Sequence, residues 1–183
     1  TVFDQKTIWN DLKEFEKHSL KGDDTPLAID LGCGTGISGS AFRDITDYLV
    51  GVDISDEMIS VARQKKIYDE LIIGEVNETI HQKRNTFDLL ICTDVFIYIG
   101  NLNKIFNNIS EYLKNSGLFL FCTERNDEEI YKLNTSGRYS HSHKYIMRLL
   151  EDNDFKLLSE KKGNLRKERG KWIQGGFYIA RKK

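Results

Sequence analysis

The stretch Leu27-Ala28-Ile29-Asp30-Leu31-Gly32-Cys33-Gly34-Thr35-Gly36 decides the fold of this chain. Its first half is a short apolar run of the kind that forms a buried strand. Glycines spaced by two follow, and they let the backbone turn sharply and approach a ligand that a Cβ atom would push away. An amphipathic stretch comes next, with Ile37, Ala41, Phe42 and Ile45 on one side. Strand, tight loop and helix in this order are typical of the opening unit of a nucleotide-binding α/β domain.

The glycine loop fits two different cofactor motifs. Residues 34–39 fit the dinucleotide fingerprint G-x-G-x-x-G, with Asp53 at a distance suited to a ribose hydroxyl. In the other frame Asp30 stands at the end of the strand, directly before the glycines, where its charge would repel a pyrophosphate. An acid in that place suits a cofactor that carries an ammonium and a sulfonium group and no phosphate. We therefore favour S-adenosylmethionine, and a nicotinamide-dependent oxidoreductase that uses the first frame is the alternative.

Bulk composition narrows the class of protein. A chain of 183 residues predicts a single domain over 1–183, with a leading helix and link over 1–25 and the core over 26–183. The formal charge of −1 argues against a general nucleic-acid binder. Three widely spaced cysteines without a paired motif predict buried reduced thiols in a cytoplasmic protein, and neither a disulfide nor a metal site. The sequence shows no secretory signal and no apolar run that would span a bilayer, so we expect no membrane partner.

Strand-like and helix-like stretches alternate along the rest of the chain. Tyr48–Asp53 predicts a second strand that ends in an acid, where a ribose diol would be bound, and Ser55 is a capping residue for the next helix. The remaining strands are predicted over residues 71–76, 87–92, 117–124, 155–161 and 172–181, with helices over 102–113 and around Tyr145 to Leu150. This order predicts an α/β fold with a mostly parallel seven-stranded sheet and a reversed last strand.

The segment Ala28 to Gly36 resembles the first motif of class I S-adenosylmethionine-dependent methyltransferases. The resemblance implies a Rossmann-like fold with strand order 3-2-1-4-5-7-6, S-adenosylmethionine as the cofactor, and transfer of its methyl group. At position 75 this sequence has Glu, where the family more often has an Asp that faces the adenine amino group. The residues that the resemblance implies for cofactor binding are Asp30, Gly32, Cys33, Gly34, Gly36, Asp53, Ile54, Met58, Glu75, Val76, Asp94 and Val95.

A narrower resemblance rests on four further segments, residues 68–71, 94–100, 136–142 and 165–168. Together they are similar to predicted bacterial methyltransferases that are often fused behind tetratricopeptide repeats. This resemblance implies an upstream repeat domain as a candidate partner and adds no substrate. It also keeps open a second kind of function, a non-catalytic S-adenosylmethionine-binding or repeat-associated interaction module.

The acceptor side is indicated by the residues that follow the fourth strand. Asp94 and Tyr98 lie where the methyl group and its acceptor would meet, and the segment lacks the Asp/Asn-Pro-Pro-Tyr/Phe signature of enzymes that methylate DNA or amides. We therefore expect a small-molecule oxygen, nitrogen or carbon acceptor, no nucleic-acid partner, and no identified catalytic residue. The substrate-binding residues that we expect are Tyr98, Arg138, Tyr139, His141 and His143.

Each of these loop residues has an alternative role. A histidine near neutrality takes a proton or orients a hydroxyl, but His141 would equally brace its loop. Arg138 would bind a carboxylate or phosphate of the substrate, or would be a solvated charge. The locally basic segment from Lys161 to Lys171 is either a solvated face or an entrance for an acidic substrate.

Overall fold

The parallel half of the sheet is built around β1, Leu27–Leu31, whose last four residues are buried. The computed structural model describes residues 26–78, 86–127 and 130–183, so the leading helix expected within 1–25 lies outside the described residues. β1 pairs in parallel with β2, Tyr48–Asp53, on one side and, on the other, with the strand over Phe87–Cys92. β3, Glu70–Ile73, pairs in parallel with β2, and the Phe87–Cys92 strand is β4. The carboxyl ends of these strands meet at one edge of the sheet, where ligands bind in open α/β folds.

The other half of the sheet contains the reversed strand. β5, Leu113–Asn126, pairs in parallel with β4. The long strands β8, Phe155–Glu168, and β9, Lys171–Lys182, form a hairpin, and β9 pairs antiparallel with β5. The prediction of a mostly parallel sheet with a reversed last strand is therefore confirmed, and the strands follow the order β3-β2-β1-β4-β5-β9-β8.

A short hairpin that the sequence pattern does not predict lies beside the carboxyl end of β5. It consists of β6, Tyr131–Leu133, and β7, Tyr139–Ser142, in a polar segment for which the sequence analysis predicts no strand. β7 pairs with the last three residues of β5 and continues the sheet beyond the end of β4, which pairs with β5 only as far as Phe121. Glu124 is paired with β9 on the other side of β5. These strands are too short and too polar to show an alternating pattern, and they form because the end of β5 offers unpaired backbone groups.

Four helices cover the two faces of the sheet within the described ranges: α1 Ile37–Phe42, α2 Asp56–Lys65, α3 Asn103–Tyr112 and α4 His143–Asp152. The Ser55 side chain accepts a hydrogen bond from the Met58 amide and caps α2 as predicted. After α3 a left-handed turn would be expected at Gly117, since glycine adopts it without strain, but Ser116 has this conformation, with φ 67°. Gly117 is required for another reason, since a Cβ atom there would lie 2.9 Å from the Lys114 carbonyl oxygen.

The core lies on both faces of the sheet. On the α3–α4 face, aromatic rings of β5 and α3 pack together, and the Phe106 and Phe119 ring centroids are 5.4 Å apart. The other face buries a smaller cluster that includes Phe42, Leu89 and Phe177. All three cysteines are buried free thiols, as expected. Within the ranges that the structure describes, no helix is long and apolar enough to cross a membrane.

Candidate active site

The glycine loop after β1 has a backbone that only glycine adopts without strain. Gly32, Gly34 and Gly36 have φ values of 69°, 51° and 83°. The amides of Gly32 and Cys33 both donate to the Val52 carbonyl oxygen, at 2.8 and 3.0 Å, which ties the loop to β2. A Cβ atom on Gly32 would lie 2.2 Å from Cγ2 of Val95, so the loop also packs closely against the segment after β4.

Asp53 connects the loop to the end of β2. Its Oδ2 accepts a hydrogen bond from the Gly34 amide at 2.8 Å, and its Oδ1 accepts one from the Ser55 amide at 2.9 Å. A carboxylate oxygen can accept two hydrogen bonds, so each oxygen keeps capacity for one hydroxyl. The half-buried Asp53 is therefore held rigidly in a state that can still accept from a diol.

Asp30 lies beneath the loop and is fully buried. The hydroxyls of Ser38 and Tyr68 donate to its Oδ2 at 2.6 and 2.7 Å. Burial raises the pKa of this carboxyl from 3.8 to about 6, while the two hydroxyl donors act in the opposite direction. A carboxylate in this position acts on a ligand through the loop that it holds.

Tyr68 and Ser38 are functional candidates that sequence reasoning missed. The Tyr68 side chain fills the space left by three glycines, because a Cβ atom on Gly36, Gly39 or Gly51 would lie between 2.3 and 3.1 Å from its nearest atom. Burial raises the pKa of the Tyr68 hydroxyl, so it stays a hydrogen-bond donor to Asp30. The sequence does contain one indication of this packing. Three glycines lie on neighbouring elements, and glycines that face each other leave room for one large side chain.

Apolar and polar side chains surround Asp53 at the same edge. Ile54 is 73% exposed and Met58 is 44% exposed, although both are apolar. Glu75 is exposed and Val76 packs against the core. β3 ends at Ile73, earlier than predicted, so Glu75 and Val76 lie in the turn after the strand. The Gly74 amide donates to the Asp53 carbonyl oxygen at 3.0 Å and holds this turn beside β2.

The segment after β4 faces the glycine loop. Asp94 has a positive φ of 57°, and its amide donates to the Cys122 sulfur at 3.4 Å. Val95 packs against Gly32, and a short 3₁₀ turn over Phe96–Tyr98 follows. Tyr98 is 67% exposed at the end of that turn. Cys33 differs, because its side chain is buried and its thiol pKa is raised by burial, so its backbone and not its sulfur lines the loop.

His141 is placed inside the protein. Its side chain is fully buried, and Nε2 lies 3.0 and 3.1 Å from the carbonyl oxygens of Ile99 and Gly100. Carbonyl oxygens only accept, so Nε2 carries the proton and donates to them. Burial lowers the pKa of this histidine, which keeps the ring neutral. This geometry favours the bracing role, in which His141 fixes the turn that carries Tyr98.

The other expected substrate residues also have partners in the protein. Arg138 Nη1 lies 3.7 Å from Oε2 of Glu168, and His143 Nδ1 lies 3.2 Å from Oε1 of Glu160. Tyr139 packs on the backbone of Gly100, where a Cβ atom would lie 2.7 Å from its ring. The structure therefore gathers the expected cofactor residues around one loop, and it connects most of the expected substrate residues to the β8–β9 hairpin or to the turn after β4.

Comparison with known proteins identifies the family. The profile of the family described as "Methyltransferase domain" matches residues 24–170, most of the chain. A solved S-adenosylmethionine-dependent methyltransferase from Methanosarcina mazei superposes with a TM-score of 0.74 over 92% of this chain and 96% of that one, at 17% identity. These matches support the resemblance to class I S-adenosylmethionine-dependent methyltransferases. They do not support the narrower resemblance to bacterial methyltransferases that are fused to tetratricopeptide repeats.

Curated relatives match over shorter stretches. A probable S-adenosylmethionine-dependent methyltransferase from Saccharomyces cerevisiae is 27% identical over 163 residues, covering 83% of this chain and 53% of that protein. An 18S rRNA (guanine-N(7))-methyltransferase from Bos taurus is 36% identical over 83 residues, covering 45% of this chain and 30% of that protein. The aligned part is therefore at most about half the length of either relative.

The relatives correct one prediction. The sequence predicts a small-molecule acceptor and no nucleic-acid partner, but curated relatives from four organisms are named as methyltransferases of ribosomal RNA, one of them as a probable one. The expectation rests on the net charge of the whole chain and on the missing Asp/Asn-Pro-Pro-Tyr/Phe signature. The net charge does not report how charge is distributed over the surface, and the missing signature excludes only the enzymes that carry it. The predictions of the fold and of the cofactor are confirmed. The chain belongs to the Methyltransferase domain family of S-adenosylmethionine-dependent enzymes.

Proposed function

We propose that this chain binds S-adenosylmethionine across the carboxyl ends of β1 and β2 and transfers its methyl group to an acceptor that approaches over Tyr98. The observation that carries the proposal is the hydrogen bond from the Gly34 amide to Asp53. This hydrogen bond fixes the loop and the Asp53 carboxylate relative to each other. Each carboxylate oxygen can still accept one hydrogen bond from a ribose hydroxyl. Apart from its neighbours in the chain, no atom of the described residues lies within 4 Å of the position of a Cβ on Gly34, so these residues leave space above the loop for a ligand.

The surroundings of this unit fit the other parts of the cofactor. Ile54 and Met58 offer exposed apolar surface beside Asp53, which suits one face of an adenine ring, and Glu75 follows in the adjacent turn. The proposed cofactor-contacting residues are Gly32, Cys33, Gly34, Gly36, Asp53, Ile54, Met58, Glu75, Val76, Asp94 and Val95, with Asp30 acting through the loop.

The cofactor supplies an activated methyl group, and the protein supplies alignment. Methyl transfer from a sulfonium is an in-line displacement, so a nucleophile held in line with the methyl carbon reacts without further activation unless it arrives protonated. Val95 and Asp94 fix the boundary between the loop and the acceptor side, because Val95 contacts Gly32 directly. Tyr98 has an exposed ring and hydroxyl with which to position the acceptor.

Calorimetric titration tests the cofactor part of the proposal. We expect S-adenosylhomocysteine, the demethylated product, to bind the wild-type chain with a one-to-one stoichiometry, and NAD to give no comparable heat. Binding of NAD without binding of S-adenosylhomocysteine would contradict the chosen frame of the glycine loop.

Transfer of a radiolabelled methyl group tests the reaction. The first acceptor to offer is total RNA, since a ribosomal RNA guanine is the acceptor named for the bovine relative. We expect label in the RNA fraction that is lost when Asp53→Asn replaces the wild type. Cofactor binding without label in RNA would leave the cofactor site intact and contradict an RNA acceptor.

A further inference from the structure

We propose that one face of the β8–β9 hairpin is a docking surface for single-stranded nucleic acid. We call it the open face and define it by Lys162, Asn164, Lys167, Trp172 and Gln174, with Arg169 at the turn. The inference rests on the proposed function in one respect: the bound single strand would contain the group that accepts the methyl group.

The turn of this hairpin lies at the same edge of the sheet as the glycine loop, the edge where the parallel strands have their carboxyl ends. β9 runs antiparallel to β5, and Gly175 is paired with Glu124 near the carboxyl end of β5. By this register Ile173 comes level with Asn126, the last residue of β5, so residues 171 and 172 extend beyond that end. A two-residue turn of Arg169 and Gly170, with φ values of 47° and 81°, closes the hairpin and exposes Arg169 at its tip.

The strand register separates the hairpin into two faces. Trp172, Gln174 and Gly176 alternate along β9, and their partners on β8 are Lys167, Asn164 and Lys162, so these side chains share the open face. The opposite face carries Arg166 and Glu168, which are opposite Ile173 and Lys171. The two faces have different contacts with the rest of the protein.

Ion pairs occupy the opposite face. Arg166 pairs with Glu124 and lies 3.5 Å from Glu168, and Glu168 also faces Arg138. These contacts fasten the hairpin to the end of β5 and to the β6–β7 turn. These ion pairs hold the end of the hairpin rigidly, and the two arginines neutralise the charge of Glu168.

The open face, in contrast, has positive charge and no acid among its defining residues. Positions 161–171 contain six basic residues and one acidic residue, Glu168 on the opposite face. The next acid along the open face, Glu160, is held by Arg125 and His143. Lys162, Lys167 and Arg169 are exposed, and cations of this kind bind phosphates and release counterions.

A stacking surface lies within this basic patch. The Trp172 ring is 38% exposed, and Lys167 Nζ lies 4.9 Å from its centroid. A basic groove with an aromatic ring is the combination by which proteins bind single strands, because the ring stacks on any base while the cations follow the backbone. The carboxylates of an acidic peptide would pair with the cations but would not stack on the indole, so the tryptophan favours nucleic acid.

Fluorescence anisotropy with a labelled oligouridylate 12-mer tests the proposal. We expect the triple variant Lys162→Gln, Lys167→Gln, Arg169→Gln to bind more weakly and to reduce the slope of log K against log salt by about 2, from three contacts of about 0.7 each. Trp172→Ala should lower the affinity about 5- to 150-fold, the range for loss of one base stack, without changing that slope. The matched control Arg63→Gln, Lys65→Gln, Lys104→Gln removes the same charge from α2 and α3 and should leave the open-face binding unchanged.

Titration of S-adenosylhomocysteine into every variant separates this proposal from the proposed function. Unchanged cofactor affinity confirms that each variant is folded, and loss of oligonucleotide binding in the open-face variants then supports the docking surface. The proposal is wrong if wild-type protein does not bind the oligonucleotide at low salt, if the control triple weakens binding as much, or if polyglutamate competes as well as unlabelled oligonucleotide does. Cofactor binding that fails while oligonucleotide binding persists contradicts the proposed function and supports the docking surface.

Discussion

The cofactor side and the acceptor side of this molecule use their polar residues in different ways. On the cofactor side, backbone amides hold Asp53, and acceptor capacity remains for a ligand. On the acceptor side, His141 donates to two carbonyl oxygens, and Arg138 faces Glu168 within the protein. The comparison shows that a histidine and an arginine in a polar loop can stabilise that loop through contacts inside the protein. An aspartate at the end of a strand can instead keep acceptor capacity for a ligand.

The largest effect should come from Gly32→Ala. The new methyl group would meet Val95 at 2.2 Å in a backbone conformation with φ 69°, so strain and overlap should together cost about 2–6 kcal/mol of unfolding free energy. The control is Gly137→Ala on the acceptor side, where φ is 76° and the described part of the chain, beyond the two adjacent residues, has no atom within 4 Å of the added Cβ. We expect that control to cost about 1–2 kcal/mol from backbone strain alone and to leave S-adenosylhomocysteine binding unchanged. Equal losses in both variants, measured by urea unfolding and calorimetry, would contradict the close packing of the loop.

Asp53→Asn should have the next largest effect. Removal of the charge weakens two hydrogen bonds to ribose hydroxyls, so we expect cofactor affinity to fall by about 2–4 kcal/mol. The matched control is Asp69→Asn at the opposite end of β2, where the carboxylate also accepts from a backbone amide, that of Leu49 at 2.8 Å, and pairs with Arg43. Both variants should lose a similar amount of stability, and only Asp53→Asn should lose affinity. An unchanged dissociation constant for Asp53→Asn would show that its carboxylate does not contact the cofactor.

The pH dependence of Asp30→Asn tests the buried acid beneath the loop. The pKa of Asp30 is about 6 in the folded protein against 3.8 ordinarily, so the folded state binds this proton more tightly. The wild type is therefore penalised as the pH rises from about 4 to about 6, by up to about 3 kcal/mol, and the uncharged Asn is not. We expect the stability of the variant relative to wild type to increase between pH 4 and pH 7, measured by denaturant unfolding. A difference that is constant across this range would contradict the raised pKa.

The smallest effects should distinguish His141 from Tyr98. His141→Ala leaves the carbonyl oxygens of Ile99 and Gly100 without their donor and should cost about 1–3 kcal/mol of unfolding free energy. Tyr98→Phe should leave the unfolding free energy unchanged, because the side chain is mainly exposed. In the methyl-transfer assay we expect Tyr98→Phe to alter KM or kcat with the cofactor affinity preserved. A catalytic loss in a stable, fully folded His141→Ala protein would restore a direct role for His141.

Local sequence was sufficient for the cofactor side. The strand Leu27–Leu31, the glycine turns and the acid at Asp53 are specified by neighbours in the chain, because burial, positive φ and strand ends are short-range properties. The same holds for α2, whose Ser55 cap and apolar face are visible in ten residues.

Tertiary structure decided what the sequence pattern could not. Tyr68 is 38 positions from Asp30, and the His141 ring is 42 positions from the carbonyl of Ile99 that it contacts. The β6–β7 hairpin exists because β5 continues beyond the end of β4, and a contact of that kind leaves no periodic trace in a polar segment. The sequence by itself determined the fold class, the cofactor loop and its acids. Only the tertiary structure decided which of the expected substrate residues contact other parts of the protein. It also decided which face of the β8–β9 hairpin lacks such contacts, since both depend on pairing between strands that are distant in sequence.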